Sequence, residues 1–162
     1  MRPLRIALAA LLIVVGGVHS QREISFSLST GMTSYEQRKT AEAVAEWNAA
    51  LQGDATLLLF PIGSTATWRI DFDTDQMEDK RRNACETHHL TKHIHCNPRA
   101  FVSRMDMPTP CNFRATISHE IGHALGILDH PGGLMRERCH IWEHPVDQET
   151  ARLARKALQS GR

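Results

Sequence analysis

Residues 119–130 read HEIGHALGILDH, and this stretch decides how the rest of the chain is interpreted. It places His119 and His123 four positions apart, with Glu120 directly after the first histidine. On an α-helix, side chains at i and i+4 project from one face, so both imidazoles can reach one tetrahedral metal ion. Glu120 lies about 100° round the helix, too far for a comfortable ligand but near enough to touch a water on that ion. The spacing therefore predicts two metal ligands and a general base.

The flanking residues favour a helix around this motif. Asn112 is a typical N-cap residue, Ile117 and Ile121 recur at an interval of four, and Gly126 supplies a stop. A glycine permits a left-handed turn, which can bring a third ligand back to the metal from a few residues further on. The next side chains of suitable chemistry are Asp129 and His130, so the third ligand is one of these two.

The segment resembles the zinc signature of the metzincin peptidases, H-E-x-x-H-x-x-G-x-x-(H/D). Residues 132–135, GGLM, resemble the Met-turn that lies under the metal in that clan, with Met135 as its methionine. The resemblance is sharp over residues 112–136 and only topological elsewhere. Register in this pattern favours Asp129 as the third ligand, whereas His130 takes that position if the turn carries one extra residue.

Two metzincin families are nearest. HEIGHALG, the strand-like WRIDF at 68–72 and a final helix opened by Asp147 resemble the matrixins. The aspartate at the ligand position, followed directly by His130, and the small size resemble snapalysin. The chain departs from both, because Pro131 replaces the tyrosine that follows the histidine in snapalysin. We also expect no matrixin propeptide with an inhibitory cysteine, since the mature chain would begin almost directly with the first strand.

The resemblance implies an exported zinc-dependent endopeptidase with one catalytic Zn²⁺. Glu120 is then the general base for a metal-activated water that hydrolyses peptide bonds, and the substrate is a protein or peptide. The alternative is a secreted zinc-binding interaction or toxin-like module with narrow or no proteolytic activity. A peptide substrate is expected along a strand edge, with residues 91–96 as the candidate rim.

The N-terminus reads as a secretory signal. Basic residues precede an apolar run at 6–15, and small residues lead to a cleavage site before Gln21. We therefore expect a signal peptide at 1–20, a single catalytic domain at 21–162, a secreted or periplasmic location and no membrane association after cleavage. Lys and Arg number 19 against 18 Asp and Glu, which gives no reason to expect a nucleic-acid partner. We expect a monomer.

Four cysteines in an exported chain predict two disulfides. We favour Cys85–Cys96 and Cys111–Cys139, since the second pair would clamp the segments on either side of the motif helix. Three pairings are open from sequence alone. The competing interpretation is a structural zinc site made of Cys85, Cys96 and the histidines between them.

Alternating apolar and polar residues predict an α+β fold with a twisted sheet of four to five strands, mainly antiparallel or mixed. The sheet is accompanied by an N-terminal helix, the motif helix and a C-terminal helix. Ser34 and Gln37 predict a capping box for the first helix, and Asp147 opens the last. The expected strands are 24–28, 57–60, 68–72 and 91–96, with a surface loop at 74–86.

Three further metal sites are less favoured. His93 and His95 share one face of the last predicted strand, which would suit a second zinc ion. Aspartates at 71, 73 and 75 have calcium-like spacing but lack the glycine and glutamate of an EF-hand loop. Glu143, twenty residues after His123, would be the third ligand in another class of zinc peptidase.

Overall fold

A mixed β-sheet forms the frame of the protein. The computed structural model describes residues 22–72, 74–77, 83–102, 110–130, 132–135, 142 and 144–161. The strands in these ranges are β1 (Arg22–Leu28), β2 (Ala55–Phe60), β3 (Trp68–Asp71), β4 (Cys85–His88) and β5 (His93–Cys96). The helices are α1 (Ser34–Leu51), α2 (Phe113–Ala124) and α3 (Gln148–Gln159), with short 3-10 turns at Thr74–Gln76 and Pro98–Phe101.

The strand order is β2-β1-β3-β5-β4. β1 pairs in parallel with β2 and β3, and β3 pairs in parallel with β5, whereas β4 and β5 form the antiparallel pair. The α+β class is thus confirmed, and of the two sheet types that the sequence left open the sheet is the mixed one. Parallel neighbours need long crossovers, and α1 supplies the one between β1 and β2.

β4 is the strand that the sequence did not predict. Residues 74–86 were expected to form a loop, yet Cys85–His88 pairs with β5, with Cys85 opposite Cys96 and Thr87 opposite Ile94. A strand of four residues at the sheet edge has too few alternations to give a clear pattern. β5 starts at His93 because Lys92, at φ +58°, completes the turn before it.

The N-cap of helix α1 lies one residue before the predicted one. Thr33 is the N-cap, and its backbone N–H donates to Glu36 Oε2 at 2.6 Å while its hydroxyl accepts from Glu36 N–H at 3.4 Å. Gln37 instead donates to the carbonyl oxygen of Met32 at 2.9 Å. The charged Glu36 carboxylate is the stronger acceptor, which explains why the box forms on Thr33 rather than on Ser34.

The helical core packs against one face of the sheet. Trp47 of α1 is completely buried, and its Nε1–H donates to the carbonyl oxygen of Ser118 in α2 at 2.9 Å. Ile70 of β3 and Ile94 of β5 belong to the same buried cluster. Because successive strand residues point to opposite faces, their neighbours Asp71 and His95 point to the other face.

The N-caps of α2 and α3 are the residues that the sequence predicted. Asn112 caps α2 by accepting from Ala115 N–H at 2.9 Å, and Asp147 caps α3 by accepting from Thr150 N–H at 2.8 Å. Within the described ranges, no helix has the length and apolar character needed to cross a bilayer.

Candidate functional site

Helix α2 places two histidines side by side. His119 and His123 lie one turn apart on the same face, as the i,i+4 spacing predicts. Their ring centroids are 4.7 Å apart and their Nε2 atoms are 3.0 Å apart. His119 is buried and His123 is half-buried, so the pair lies at the boundary between the core and the surface.

The turn after α2 brings a third histidine to this pair. Gly126 has a φ of +99°, and its N–H donates to the carbonyl oxygen of His123 at 2.8 Å. This left-handed conformation favours glycine, as the sequence predicted. The chain then returns His130, whose Nε2 lies 3.2 Å from Nε2 of His123 and whose ring stacks on His119 at a centroid distance of 5.3 Å.

His130 completes this cluster, and Asp129 does not lie in it. The potential ligand atoms of His119, His123 and His130 all lie within 4.8 Å of one another; we call these three residues the helix group. Asp129 is exposed and lines a groove with residues of α3, among them Leu153. Neighbouring side chains in an irregular segment point in different directions, so a backbone that aims His130 at the group turns Asp129 away. The geometry thus favours His130 over Asp129, the residue that register alone favoured.

Backbone carbonyl groups fix the tautomers of the two helical histidines. Nδ1 of His119 lies 2.8 Å from the carbonyl oxygen of Leu134, and Nδ1 of His123 lies 2.6 Å from that of Ile127. A carbonyl oxygen can only accept, so each Nδ1 carries a proton and donates it. In the neutral ring, each Nε2 then presents a lone pair to the centre of the group.

Burial keeps both rings neutral. It lowers the pKa of His119 to about 4. Burial also lowers the pKa of His123 below its ordinary value, although the nearby Glu120 carboxylate acts in the opposite direction. Two unprotonated Nε2 atoms 3.0 Å apart repel each other unless a cation lies between their lone pairs. The helix group therefore has the donor chemistry of a metal site.

The spacing of the nitrogens fits zinc. Tetrahedral zinc with imidazole ligands at 2.0–2.1 Å separates neighbouring nitrogens by about 3.3 Å. The Nε2 separations of 3.0 and 3.2 Å in the helix group are slightly shorter. Three nitrogen ligands leave one tetrahedral position open, as in catalytic rather than structural zinc sites.

Glu120 directly follows His119 and is buried. Its Oε2 accepts a hydrogen bond from the Thr87 hydroxyl of β4 at 2.6 Å. Burial raises the pKa of the Glu120 carboxyl above its ordinary value, while His123 and the Thr87 hydroxyl act against this rise. A carboxylate of raised proton affinity in a desolvated position suits a general base near neutral pH.

Met135 lies in a tight turn below α2. Its N–H donates to the carbonyl oxygen of Gly132 at 3.0 Å, and Gly132 and Gly133 have φ values of +114° and +57°. The Met135 side chain is fully buried. A Cβ at Gly122 would lie 2.5 Å from Met135 Sδ, so only glycine allows α2 to approach this methionine. The same turn provides the Leu134 carbonyl group that orients the His119 ring.

β4, and not β5, forms the sheet edge beside α2. β5 is paired with β3 on one side and with β4 on the other. The prediction that residues 91–96 form the rim for a substrate is therefore wrong, because a strand paired on both sides has no free edge. β4 ends the sheet, and Thr87 connects it to α2.

The predicted disulfide between Cys85 and Cys96 is confirmed. It joins cross-strand partners of β4 and β5, and it rules out the competing zinc site on these two cysteines. Cys111 is also disulfide-bonded. Its predicted partner Cys139 lies outside the described residues, as does Glu143, the third ligand of the alternative zinc class.

A second set of metal-ligand types lies on β3 and β5. It consists of Asp71, His93 and His95, whose potential ligand atoms also lie within 4.8 Å of one another; we call these residues the strand group. The calcium alternative placed Asp71 with Asp73 and Asp75, but Asp73 lies outside the described residues. In the structure, the Asp71 carboxylate lies next to the imidazole rings of His93 and His95.

Two contacts were not predicted from the sequence. They are the hydrogen bond of Thr87 to Glu120 and the pairing of Asp71 with histidines. Thr87 lies in an unpredicted strand and acts on Glu120 across 33 positions of sequence. Asp71 meets His95 across 24 positions, through a parallel strand pairing. The alternation of β3 and β5 could have indicated shared faces, but nothing in the sequence showed that these strands are neighbours.

In comparisons with known proteins, no family model matches this chain, and no curated protein matches it.

Proposed function

We propose that this chain is an exported zinc-dependent endopeptidase of the metzincin type. The observation that carries the proposal is the convergence of three imidazole Nε2 atoms next to the buried carboxylate of Glu120. Neutral nitrogen donors suit zinc, and an adjacent carboxylate of raised pKa suits proton transfer. The resemblance over residues 112–136 supports the same class.

Each residue has a defined task in this proposal. His119, His123 and His130 hold Zn²⁺, which when bound activates water and polarises the scissile carbonyl group. Glu120 accepts a proton as the water oxygen attacks the carbonyl carbon, and it gives that proton to the amine nitrogen when the C–N bond breaks. Thr87 donates to the Glu120 carboxylate and holds it in place.

The edge of the described sheet at β4 is the proposed place for the substrate backbone. An extended peptide can add to a free strand edge through main-chain hydrogen bonds. Among the described strands, β4 lies at one edge of the sheet, and the hydrogen bond of Thr87 places it against the helix that carries Glu120. A protein or peptide substrate is therefore favoured over a small amide.

The cysteines support export. Disulfides persist in oxidising compartments, and Cys85, Cys96 and Cys111 are all disulfide-bonded. The predicted signal peptide at 1–20 lies outside the described residues, so this part of the proposal depends on the sequence pattern and the disulfides.

The test combines metal content with peptide cleavage by the oxidised mature chain. Cleavage of casein and of a quenched fluorescent peptide library is expected to disappear with a zinc chelator and to return with added zinc. Glu120→Gln is expected to lower kcat by about 10²–10⁴-fold without loss of zinc from the helix group, because it removes the base and no ligand.

The matched control is Glu149→Gln, at an exposed glutamate of α3 that pairs only with Arg152 among the described contacts. It should leave both zinc content and cleavage unchanged. Zinc uptake without turnover across the whole library would overturn the peptidase proposal and support a zinc-binding interaction module instead.

A further inference from the structure

We propose that Asn48 closes the outer edge of β2 and so keeps the protein a monomer. The partner that it excludes is a second copy of this chain, which would otherwise add its own β2 to this edge. The edge lies at the opposite end of the sheet from β4, and self-association there requires no peptidase activity.

β2 is an edge strand of the described sheet. It pairs in parallel with β1 on one side and has no strand neighbour on the other among the described residues. An edge strand presents a row of main-chain N–H and C=O groups that can pair with another chain. Unless these groups are covered, they form a template for association.

The side-chain amide of Asn48 covers this row at its centre. Its Oδ1 accepts from the Leu57 N–H at 2.7 Å, and its Nδ2 donates to the Leu57 carbonyl oxygen at 2.9 Å. These two main-chain groups therefore point away from β1. The Asn48 amide makes the pair of hydrogen bonds that an opposing residue of an antiparallel strand would make.

The positions on either side of Leu57 point the same way. Because the direction of the main-chain groups alternates along a strand, those of Ala55 and Leu59 also face outward. Pro61 follows the strand and has no N–H to offer. With Asn48 in place, the outward positions at 55 and 59 are separated by an occupied one. Without it, the three residues would form one continuous row.

The composition of β2 favours self-association. Residues 57–60 read LLLF, four consecutive apolar residues without charge or proline. Leu57 and Leu59 pack in the helical core. Leu58 and Phe60 therefore face the other side of the sheet, where they are half-buried. An uncharged apolar strand with an uncovered edge is prone to pair with copies of itself.

A second copy of this chain fits the edge by symmetry. Two identical strands that pair antiparallel about a two-fold axis present the same surface to each other. In a register centred on Leu58, Leu57 would lie opposite Leu59 of the partner subunit. The two Leu58 side chains would then meet across the axis, at the distance of a cross-strand pair.

The helix itself does not require an asparagine at this position. Asn48 lies inside α1, where asparagine is a weaker helix former than alanine or leucine. Asparagine is favoured at helix caps, because its side chain competes for main-chain hydrogen bonds. Here those bonds are made to β2 and not to α1. The benefit of Asn48 therefore lies at the edge of the sheet.

Light scattering of the oxidised mature chain tests the proposal. The wild type should be a monomer up to about 100 µM, within the range in which uncovered strand edges associate. Asn48→Ala and Asn48→Leu both remove the two hydrogen bonds without lowering helix propensity. Each should raise the weight-average mass at least about twofold at that concentration.

Amide hydrogen exchange shows whether the edge of β2 is involved. In the wild type, the Leu57 N–H should be protected by Asn48, whereas the outward Leu59 N–H should exchange faster. In the associated variants, the Leu59 N–H should become protected as well. Equal exchange of the two amides in the wild type would overturn the proposal without recourse to any substitution.

A second substitution separates strand addition from loss of folding. Leu58→Lys in the Asn48→Ala background places like charges opposite each other in the dimer, so it should restore the monomer. Gln37→Ala is the matched control, because Gln37 also lies in α1 but donates to the carbonyl oxygen of Met32, at 2.9 Å. It should remain a monomer. Near-UV circular dichroism verifies that each variant is folded.

A wild type that is already a dimer would overturn the proposal. So would a folded Asn48→Ala protein that stays a monomer over the same range, or association that Leu58→Lys does not reverse. These outcomes are distinct from failure of the proposed function, because none of them involves zinc or peptide cleavage.

Discussion

The helix group and the strand group use histidine in two different ways. In the helix group, Nδ1 of His119 and His123 is occupied by backbone carbonyl groups, and the Nε2 lone pairs face each other 3.0 Å apart. In the strand group, Nδ1 of His95 faces the Asp71 carboxylate at 2.7 Å. The first arrangement is unfavourable without a cation, whereas the second is already satisfied by a hydrogen bond.

This difference predicts an order of affinity. Zinc binding to the helix group relieves repulsion between lone pairs, with the ring orientations already fixed by outer hydrogen bonds. A cation at the strand group would have to displace the proton between His95 and Asp71 and the weak pairing of Asp71 with Arg69. We therefore expect the helix group to hold zinc more tightly than the strand group.

The largest expected effect concerns the third ligand of the helix group. In a His93→Gln/His95→Gln background, His130→Ala should weaken zinc binding by more than about 100-fold, because a ligand should cost more than the 10–100-fold of an outer partner. Asp129→Ala should change it by less than about threefold, since Asp129 lies outside the group. Competition with a chromophoric chelator gives both values. A larger loss for Asp129→Ala would reverse the assignment.

The second-largest expected effect comes from removing the β4–β5 disulfide, which should affect the strand group and the helix group differently. Cys85→Ala/Cys96→Ala opens a link with a sequence separation of 11 and should cost about 2–3 kcal/mol in the free energy of unfolding. Urea denaturation measures this loss. Zinc affinity of the strand group should fall, because Cys96 directly follows His95, while that of the helix group serves as the internal control. An equal fall in both would show that the groups are not structurally separate.

Gly122→Ala tests the packing of Met135 against α2, the helix that carries His119 and His123. The added methyl group would lie 2.5 Å from Met135 Sδ and should cost about 1–3 kcal/mol in stability. Gly31→Ala is the matched control, because the nearest atom to its new Cβ lies 4.0 Å away. Thermal unfolding of both variants checks the comparison. Equal stability of the two would mean that Met135 moves aside without cost.

The smallest effect is expected at Thr87. Thr87→Val keeps the shape but removes the hydroxyl that donates to Glu120 at 2.6 Å. If the chain is a peptidase, kcat should fall about tenfold, at the low end for a lost charge-assisted hydrogen bond, while KM and zinc content remain. Thr87→Ser restores the donor and should restore kcat. A change in KM alone would indicate that Thr87 contacts substrate and does not position Glu120.

Local pattern was enough to predict the helices. α2 and α3 begin at the predicted caps Asn112 and Asp147, because a cap is decided within one turn of sequence. The N-cap of α1 lies one residue before the predicted one, because the sequence allows two overlapping capping boxes. The charged Glu36 carboxylate is the better acceptor of the two candidates. The pairing of the strands could not be predicted from local sequence patterns. Parallel neighbours are set by crossovers and packing, so the sequence could not decide between a mainly antiparallel and a mixed sheet.

The same limit applies to the two metal-ligand groups. His119 and His123 could be placed together from sequence because four positions on a helix fix their distance. The choice between Asp129 and His130 needed the course of the loop after Gly126, which spacing does not determine. The strand group needed the pairing of β3 with β5, and Asp71 and His95 are 24 positions apart.

The β4–β5 hairpin also bears on the order in which the chain matures. Its cysteines are only 11 positions apart, so closing the loop between them costs less conformational entropy than pairing strands that are distant in the sequence. Oxidation there would seal the hairpin first and deliver β5 as a finished template on which β3 docks. A chain with this layout should fold more slowly under reducing conditions, because β5 then lacks its covalent link to β4.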